Sequence, residues 1–142
     1  MRASHLPLRL TTGAFILNAG LGKRALPPEA AAALQNMAAN VAPVVRTVRP
    51  ETFGKTLSAA ETALGATLLA PFVPSALAGA ALVAFSGGLL TMYWKTPGMH
   101  ENGSIRPTQD GTAVAKDVWM LGIGAALLVD ELGRRGPGLS RP

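Results

Sequence analysis

The sequence predicts an all-α protein, namely a membrane-embedded four-helix bundle with an additional amphipathic interfacial helical segment between spans one and two. Of the 142 residues, 49% are hydrophobic and 15% are charged, whereas a typical soluble domain has about 25% charged residues. Residues 56–94 contain a single formal charge, Glu61. Because one span takes about 20 apolar residues, this stretch is long enough for two spans.

The first span is predicted at residues 7–23, where an apolar run follows a short basic lead. A secretory signal peptide is the rival interpretation, since it has the same basic start and apolar core. We favour a retained span because no small-x-small cleavage site closes the run before Lys23 and Arg24. Arg9 then lies inside the span, and we expect its long side chain to extend to the membrane surface.

Residues 28–49 are predicted to form an amphipathic helical segment. Pro27, Pro28 and Glu29 are a typical helix start. Apolar residues then recur at spacings of three and four, on one helix face that Pro43 interrupts. The members of this face are Leu34, Met37, Val41, Val44, Val45 and Val48. We expect the segment to lie on the membrane surface or to cap the bundle, and we favour capping over docking to a partner.

The charge-poor stretch is predicted to fold as a helical hairpin with spans at 55–70 and 75–94. Pro71 and Pro74 separate the two helices, because proline removes a backbone donor and blocks the preceding helical turn. Ser75, Gly79 and Gly87 lie on roughly one face of the second helix, with Gly88 beside them. Such a face favours close contact with a neighbouring helix.

A polar loop at 95–112 and a last span at 113–131 are predicted after the hairpin. The hairpin ends in Tyr93 and Trp94, aromatic residues of the kind found where a span meets lipid headgroups. The loop contains three dipeptides typical of turns: Pro97-Gly98, Asn102-Gly103 and Asp110-Gly111. The spans form a single predicted membrane domain at 1–135, and residues 136–142 are a predicted disordered tail.

The composition excludes several classes of function. There is no cysteine, which excludes disulfides, thiol redox chemistry and cysteine-ligated metals. His5 and His100 are far apart, and no nucleophile–base pattern or phosphate-binding glycine loop is present. We therefore predict no catalytic residues, no metal and no cofactor. The net charge of +5 is expected to serve contacts with lipid phosphates at the span ends, and no nucleic-acid motif is present.

Residues in all four predicted spans carry a family pattern. The first span reads Arg9-x3-Gly13-x-Phe15-x4-Gly20-x2-Lys23. The second has an acid near its start, Glu61, followed by Leu64-Gly65, and Lys116-Asp117 opens the fourth after an alanine-rich third. The pattern resembles the DoxX-like family of small four-helix membrane proteins. That family is named for a subunit of a thiosulfate:quinone oxidoreductase, so the resemblance implies a membrane subunit, with a quinone as a candidate ligand.

A candidate intramembrane polar cluster is predicted in one layer of the bundle. Alternation of the span directions brings Lys23, Glu61, Lys116 and Asp117 to that layer. A carboxylate inside the membrane needs a partner or a proton, and Lys23 and Lys116 are the candidate partners of Glu61. Glu61 is either a structural clamp or a proton carrier and anchor for a quinone or lipid headgroup. We favour the clamp, because no second carboxylate near the membrane midplane continues a proton relay.

The opposite layer contains the two chain termini. Arg9 and Asp130 are predicted to form a structural ion pair there, joining the first and last helices. The family resemblance implies cytoplasmic termini, and we adopt that orientation. The distribution of basic residues favours the reverse, since eight of the 13 Lys and Arg residues lie in the two long connecting segments.

The function predicted from these observations is that of a non-enzymatic accessory or scaffold subunit of a larger membrane complex, such as a respiratory complex. The alternative is a small transporter or a quinone- or lipid-binding membrane protein centred on Glu61. The predicted partners are membrane lipids, other membrane subunits or further copies of the chain, with no nucleic acid. The predicted location is the bacterial plasma membrane, crossed several times.

Overall fold

The computed structural model describes residues 2–134, and every regular element in that range is helical. The elements are α1 (His5–Gly22), α2 (Pro28–Ala39), a short 3-10 helix (Pro43–Thr47), α3 (Pro50–Leu69), α4 (Ser75–Lys95), α5 (Thr112–Ala115) and α6 (Val118–Gly133). The predicted all-α fold class is confirmed for this range. The predicted tail at 136–142 lies outside the described residues.

Proline residues mark several of the helix starts. Pro28, Pro43 and Pro50 are the first residues of α2, the 3-10 helix and α3, where the missing N–H costs no helical hydrogen bond. Pro74 immediately precedes α4, and the α3–α4 turn runs from residue 70 to residue 74. The interruption predicted at Pro43 is therefore present, as a change from an α-helix to a 3-10 helix.

α1 packs along α3 at a distance that only glycine permits. A Cβ atom built on Gly65 would lie 2.5 Å from the backbone nitrogen of Leu17, and one on Gly20 would lie 2.6 Å from that of Thr62. Gly13 faces Leu68 in the same way. Small residues at a helix crossing let two backbones approach and increase their van der Waals contact. α1 and α3 therefore form one tightly packed helix pair.

α4 and α6 form a second pair with the same kind of contact. A Cβ atom on Gly79 would lie 2.8 Å from the carbonyl oxygen of Gly124, so the two glycines meet at the crossing. The predicted contact face is confirmed at Ser75 and Gly79, which are buried. It is wrong at Gly87 and Gly88, where an added Cβ would meet nothing within 4 Å, because the two helices have already diverged there.

The two pairs meet through a small apolar core. Its buried members are Ile16, Leu64, Leu68, Ala78, Leu82 and Leu127. The pairs share much less contact with each other than the helices within each pair do. The seam between them is therefore the loosest part of the packing, and it is where a cavity forms.

α2 packs across the start of α3. Its buried face includes Ala31 and Gln35, and the Cβ of Ala31 lies 3.2 Å from where a Cβ on Gly54 would be. Gln35 is a polar residue outside the predicted apolar face, yet it is buried. Its side-chain amide donates hydrogen bonds of 2.7 Å to the carbonyl oxygens of both Val45 and Val48. Gln35 thereby holds the 3-10 helix against α2.

Two helices within residues 2–134 are long and apolar enough to cross a membrane, Ser75–Lys95 and the continuous stretch Thr112–Gly133. Only 28% and 11% of their apolar windows are buried, whereas the core helix of a soluble protein is buried all round. α1 and α3, which were predicted as spans, do not meet the same test within the described range. Polar residues such as Arg9 and Lys55 lower their hydropathy, so the four-span bundle stays a prediction.

The loop after α4 is ordered by its turns and by Tyr93. Gly98 and Gly103 have positive φ angles of 83° and 74°, a conformation that glycine adopts without strain, at two of the predicted turns. Tyr93 was predicted to face the headgroups, but it is buried and donates a hydrogen bond of 3.1 Å to the carbonyl oxygen of Ile105. Its neighbour Trp94 is exposed and stacks on His100 with ring centroids 4.7 Å apart.

Candidate functional site

A cavity of about 600 Å³ lies in the seam between the two helix pairs, beneath α2 and the 3-10 helix. Its wall is almost entirely apolar and includes aromatic side chains from three helices, Phe15 of α1, Phe53 of α3 and Phe85 of α4. Gly88 leaves part of the α4 wall without a side chain. We refer to this cavity as the seam pocket.

One end of the seam pocket carries an ion pair between Lys23 and Glu61. The Lys23 ammonium donates to a Glu61 carboxylate oxygen over 2.7 Å. Glu61 is buried, with 6% of its surface exposed, and Lys23 is about a quarter exposed at its side chain. Of the two predicted candidate partners of Glu61, Lys23 and Lys116, the structure pairs Lys23 with it. The ammonium also makes a long contact of 3.4 Å with the carbonyl oxygen of Ala19, one helical turn earlier.

Of the other two members of the predicted polar cluster, one lines the seam pocket and one does not. Asp117, which immediately precedes α6, lines the seam pocket together with Lys23 and Glu61. Lys116 is exposed and is not part of the wall. The pocket end therefore contains two carboxylates and one ammonium. Asp117 was predicted in the same layer as Glu61, and the structure places it in the wall of the same pocket, where the α5–α6 junction folds over the seam.

Arg9 occupies the opposite layer, and its predicted pairing with Asp130 is wrong. Its guanidinium is buried, with 1% exposed, and does not extend to the surface as predicted. It donates hydrogen bonds of 2.8 to 3.2 Å to Ser75 Oγ and to four carbonyl oxygens. Those carbonyls belong to Thr67, Leu68, Ala70 and Val73. They lie at the end of α3 and in the following turn, where the last helical carbonyls lack intrahelical donors, and the Ala70 carbonyl also accepts a hydrogen bond from the Val73 backbone N–H.

Asp130 pairs instead with Arg2 and His5. The Arg2 guanidinium donates to both carboxylate oxygens, one at 2.6 Å, and His5 Nε2 donates to the same carboxylate over 2.9 Å. Since an ionised carboxylate only accepts, His5 Nε2 carries a proton, and His5 Nδ1 lies within hydrogen-bond distance of Ser75 Oγ, at 2.8 Å. These residues join the ends of α1, α4 and α6.

The order Ser75–His5–Asp130 has the composition of a hydrolytic triad, which the sequence analysis did not find. The residues come from three helices, so no local motif could reveal them. Their environment does not fit that chemistry: His5 and Ser75 are buried, with 3% and 4% exposed. The Ser75 oxygen also accepts a hydrogen bond from Arg9. A substrate would have to displace packed helices to reach the hydroxyl, so the arrangement is a polar lock between helix ends.

The seam pocket is the better candidate for function, because a buried ion pair and a further carboxylate face its accessible volume. No family model, no curated protein and no solved structure matches the chain. Within residues 2–134, no group of three or more His, Asp or Glu residues could hold a metal ion. The function is therefore argued from the chemistry of the pocket.

Proposed function

We propose that this chain is a multi-pass integral membrane protein that binds an amphipathic ligand in the seam pocket, with the chemistry of a quinone or a lipid headgroup. The observation that supports the proposal most directly is the group Lys23, Glu61 and Asp117 in the wall of an otherwise apolar cavity of about 600 Å³. Ligand pockets in proteins typically have volumes of about 300–1,000 Å³ and combine apolar walls with a few convergent polar groups.

The polar end of the pocket has unused hydrogen-bonding capacity. Lys23 has three N–H donors, of which Glu61 takes one and the Ala19 carbonyl takes a second, weakly. The third donor is available to an oxygen acceptor, such as a ring carbonyl or an ester. Asp117 offers an acceptor for a hydroxyl, and the apolar wall suits a hydrocarbon tail. The family resemblance of the sequence agrees with a quinone as one such ligand.

The test is the binding of decylubiquinone to the purified protein in mild detergent, followed by native mass spectrometry. Gly88→Leu places a side chain in the seam pocket, where nothing lies within 4 Å of the new Cβ, so the variant should fold while the pocket is filled. We expect its affinity for decylubiquinone to fall at least about tenfold, equivalent to 1.4 kcal/mol. Gly87→Leu is the matched control, since Gly87 is equally uncrowded and does not line the pocket.

A further variant tests the polar end. Glu61→Gln removes the negative charge of the ion pair while preserving the shape of the side chain. If Glu61 anchors the ligand through Lys23, the affinity of this variant for decylubiquinone differs from that of the wild type, while its thermal stability equals that of the wild type. A loss of stability with unchanged binding would make Glu61 a structural clamp. Equal binding by the Gly87→Leu and Gly88→Leu variants, or no binding by the wild type, would contradict the pocket proposal.

An accessory or scaffold subunit is a second candidate function, favoured by the outer face of α6. Gly122 and Ala126 are four residues apart on this helix, and both are exposed together with Ala125. An added Cβ on Gly122 would meet nothing within 4 Å. Packing among the described residues therefore does not explain why this position is a glycine. Small residues at this spacing are typical of contacts between membrane helices.

Co-purification from native membranes tests the subunit candidate. We expect a tagged wild-type chain, extracted in mild detergent, to recover a partner membrane protein at fixed stoichiometry. Gly122→Leu should abolish that recovery, because a larger residue keeps the partner helix from approaching. Gly87→Leu serves again as the control, with recovery unchanged. Recovery of the chain alone, or equal recovery by both variants, would exclude this use of the α6 face.

A further inference from the structure

A second cavity lies on the outer side of α3 and shares no lining residue with the seam pocket. Its volume is about 420 Å³. Two basic residues line one end, Arg24 just after α1 and Lys55 in α3, and three alanines of α3 continue it as a shallow groove. These are Ala59, Ala63 and Ala66, all exposed. We refer to this feature as the outer groove.

The two basic residues of the outer groove outnumber the one acid beside them, Glu51, which lines a further cavity of about 220 Å³ together with both. The nearby acids each have another cation: Glu61 is bound to Lys23 at 2.7 Å, and Glu51 lies 3.9 Å from Arg49. Within residues 2–134, Arg24 and Lys55 form no ion pair of their own. The open end of the groove is therefore a place of net positive charge, which suits an anionic ligand.

The shape of the groove indicates what kind of anion. From Lys55 to Ala66 the helix rises over 11 residues, which is about 16 Å at 1.5 Å per residue. That length is close to half of the roughly 30 Å hydrocarbon core of a bilayer, which is one leaflet.

We propose that the outer groove binds one anionic phospholipid of the surrounding leaflet. The phosphate lies between Arg24 and Lys55, and one acyl chain follows the alanine strip of α3. Basic residues between helices at the membrane surface are a recurrent means of binding anionic lipid headgroups. This site goes beyond the seam pocket and shares with it only the membrane setting, so each site has its own variants and either can fail alone.

The experiment is native mass spectrometry of the full chain in mild detergent, titrated with phosphatidylglycerol or with phosphatidylcholine carrying the same acyl chains. The wild type is expected to retain phosphatidylglycerol preferentially. The variant Arg24→Gln/Lys55→Gln should lose about 30-fold in affinity, since each basic residue near an anionic lipid surface contributes about 1 kcal/mol. Both side chains are exposed, so circular dichroism should report an unchanged fold.

Matched controls distinguish the effect of the groove residues from the effect of the overall charge on lipid affinity. Arg46→Gln/Arg106→Gln removes the same net charge at two exposed positions that do not line the groove, and its affinity for phosphatidylglycerol should equal that of the wild type. Ala63→Phe obstructs the strip without changing charge and should weaken lipid retention.

Three results would overturn the proposal. The first is equal retention of the two lipids by the wild type. The second is an equal loss of phosphatidylglycerol affinity in the control and the Arg24/Lys55 variants. The third is complete displacement of phosphatidylglycerol by excess inorganic phosphate, which would assign the site to a free anion.

Discussion

An Arg9→Met variant is expected to lose about 3–5 kcal/mol of unfolding free energy, because several buried acceptors lose their donor and each unsatisfied acceptor costs about 1–3 kcal/mol. Met retains much of the length and apolar volume of the side chain but has no donors. Four carbonyl oxygens and Ser75 Oγ would lose the hydrogen bonds that Arg9 now donates to them. The positive charge would also be lost from the C-terminal end of α3, where the helix dipole favours a cation.

The measurement is thermal or denaturant unfolding in mild detergent, followed by circular dichroism. Arg106→Met is the matched control, because its side chain is exposed, and it should unfold like the wild type. Arg9→Lys should lie between the two, since lysine keeps the charge but lacks the planar arrangement of five donors. If Arg9→Met unfolds at the wild-type midpoint, Arg9 does not hold the end of α3 as described. If it fails to fold, Arg9→Lys supplies the quantitative comparison.

A Gly65→Ala variant is expected to be destabilised by about 1–3 kcal/mol, the usual cost of overpacking, through the addition of one methyl group. That methyl carbon would lie 2.5 Å from the backbone nitrogen and 2.7 Å from the Cα of Leu17. Because the obstacle is backbone, no rotamer change can relieve the contact, and α1 and α3 must move apart. The separation would also disturb the Lys23–Glu61 ion pair, which joins the same two helices.

Gly87→Ala is the matched control for this prediction, since an added Cβ at Gly87 meets nothing within 4 Å. Alanine is favoured over glycine inside a helix by up to about 1 kcal/mol, so this variant should be as stable as the wild type or more stable. Both variants are compared by the same unfolding measurement. Equal stability of the two would mean that α1 and α3 do not approach as closely as Gly65 and Leu17 indicate.

The first of these predictions concerns the end of α3, and the second concerns the crossing of α1 and α3. The seam pocket depends on both, because they fix the helices that form its wall. Each pair is closed by glycine contacts, whereas contact between the pairs is limited to a small apolar core. The polar lock of His5, Ser75 and Asp130 joins the pairs at one end. At the other end the pairs stay apart, which leaves the volume in which Lys23, Glu61 and Asp117 meet.

Part of the candidate site could be predicted from the sequence. Alternating helix directions were sufficient to predict Lys23 near Glu61, and a buried carboxylate needs a counter-charge, but the sequence left the choice between Lys23 and Lys116 open. Asp117 was assigned to the same layer, but its place in the pocket wall could not be derived. That place depends on how the α5–α6 junction folds over the seam, which is a matter of packing between segments far apart in the chain.

The partners of Arg9 and Asp130 also could not be predicted from the sequence. The layer argument placed both residues on one side and paired them by charge alone. In the structure, carbonyls at the end of α3 and in the following turn are the acceptors that Arg9 reaches, while Arg2 and His5 satisfy Asp130. Charge and layer allow several pairings, and only the distances between side chains and backbone acceptors select one.

The sequence by itself determined the helical class, the helix breaks at Pro43 and at Pro71 and Pro74, and the turns at Gly98 and Gly103, but not the start of α3 at Pro50, which was predicted near residue 55. These features depend on local backbone preferences and on hydropathy along the chain, which a sequence records directly. The tertiary structure alone decided which glycines lie at helix crossings and which line open space, where the pocket forms, and which partners the buried charges choose. Those features depend on contacts between distant segments, because packing closes the space around some residues and leaves it open around others of the same type.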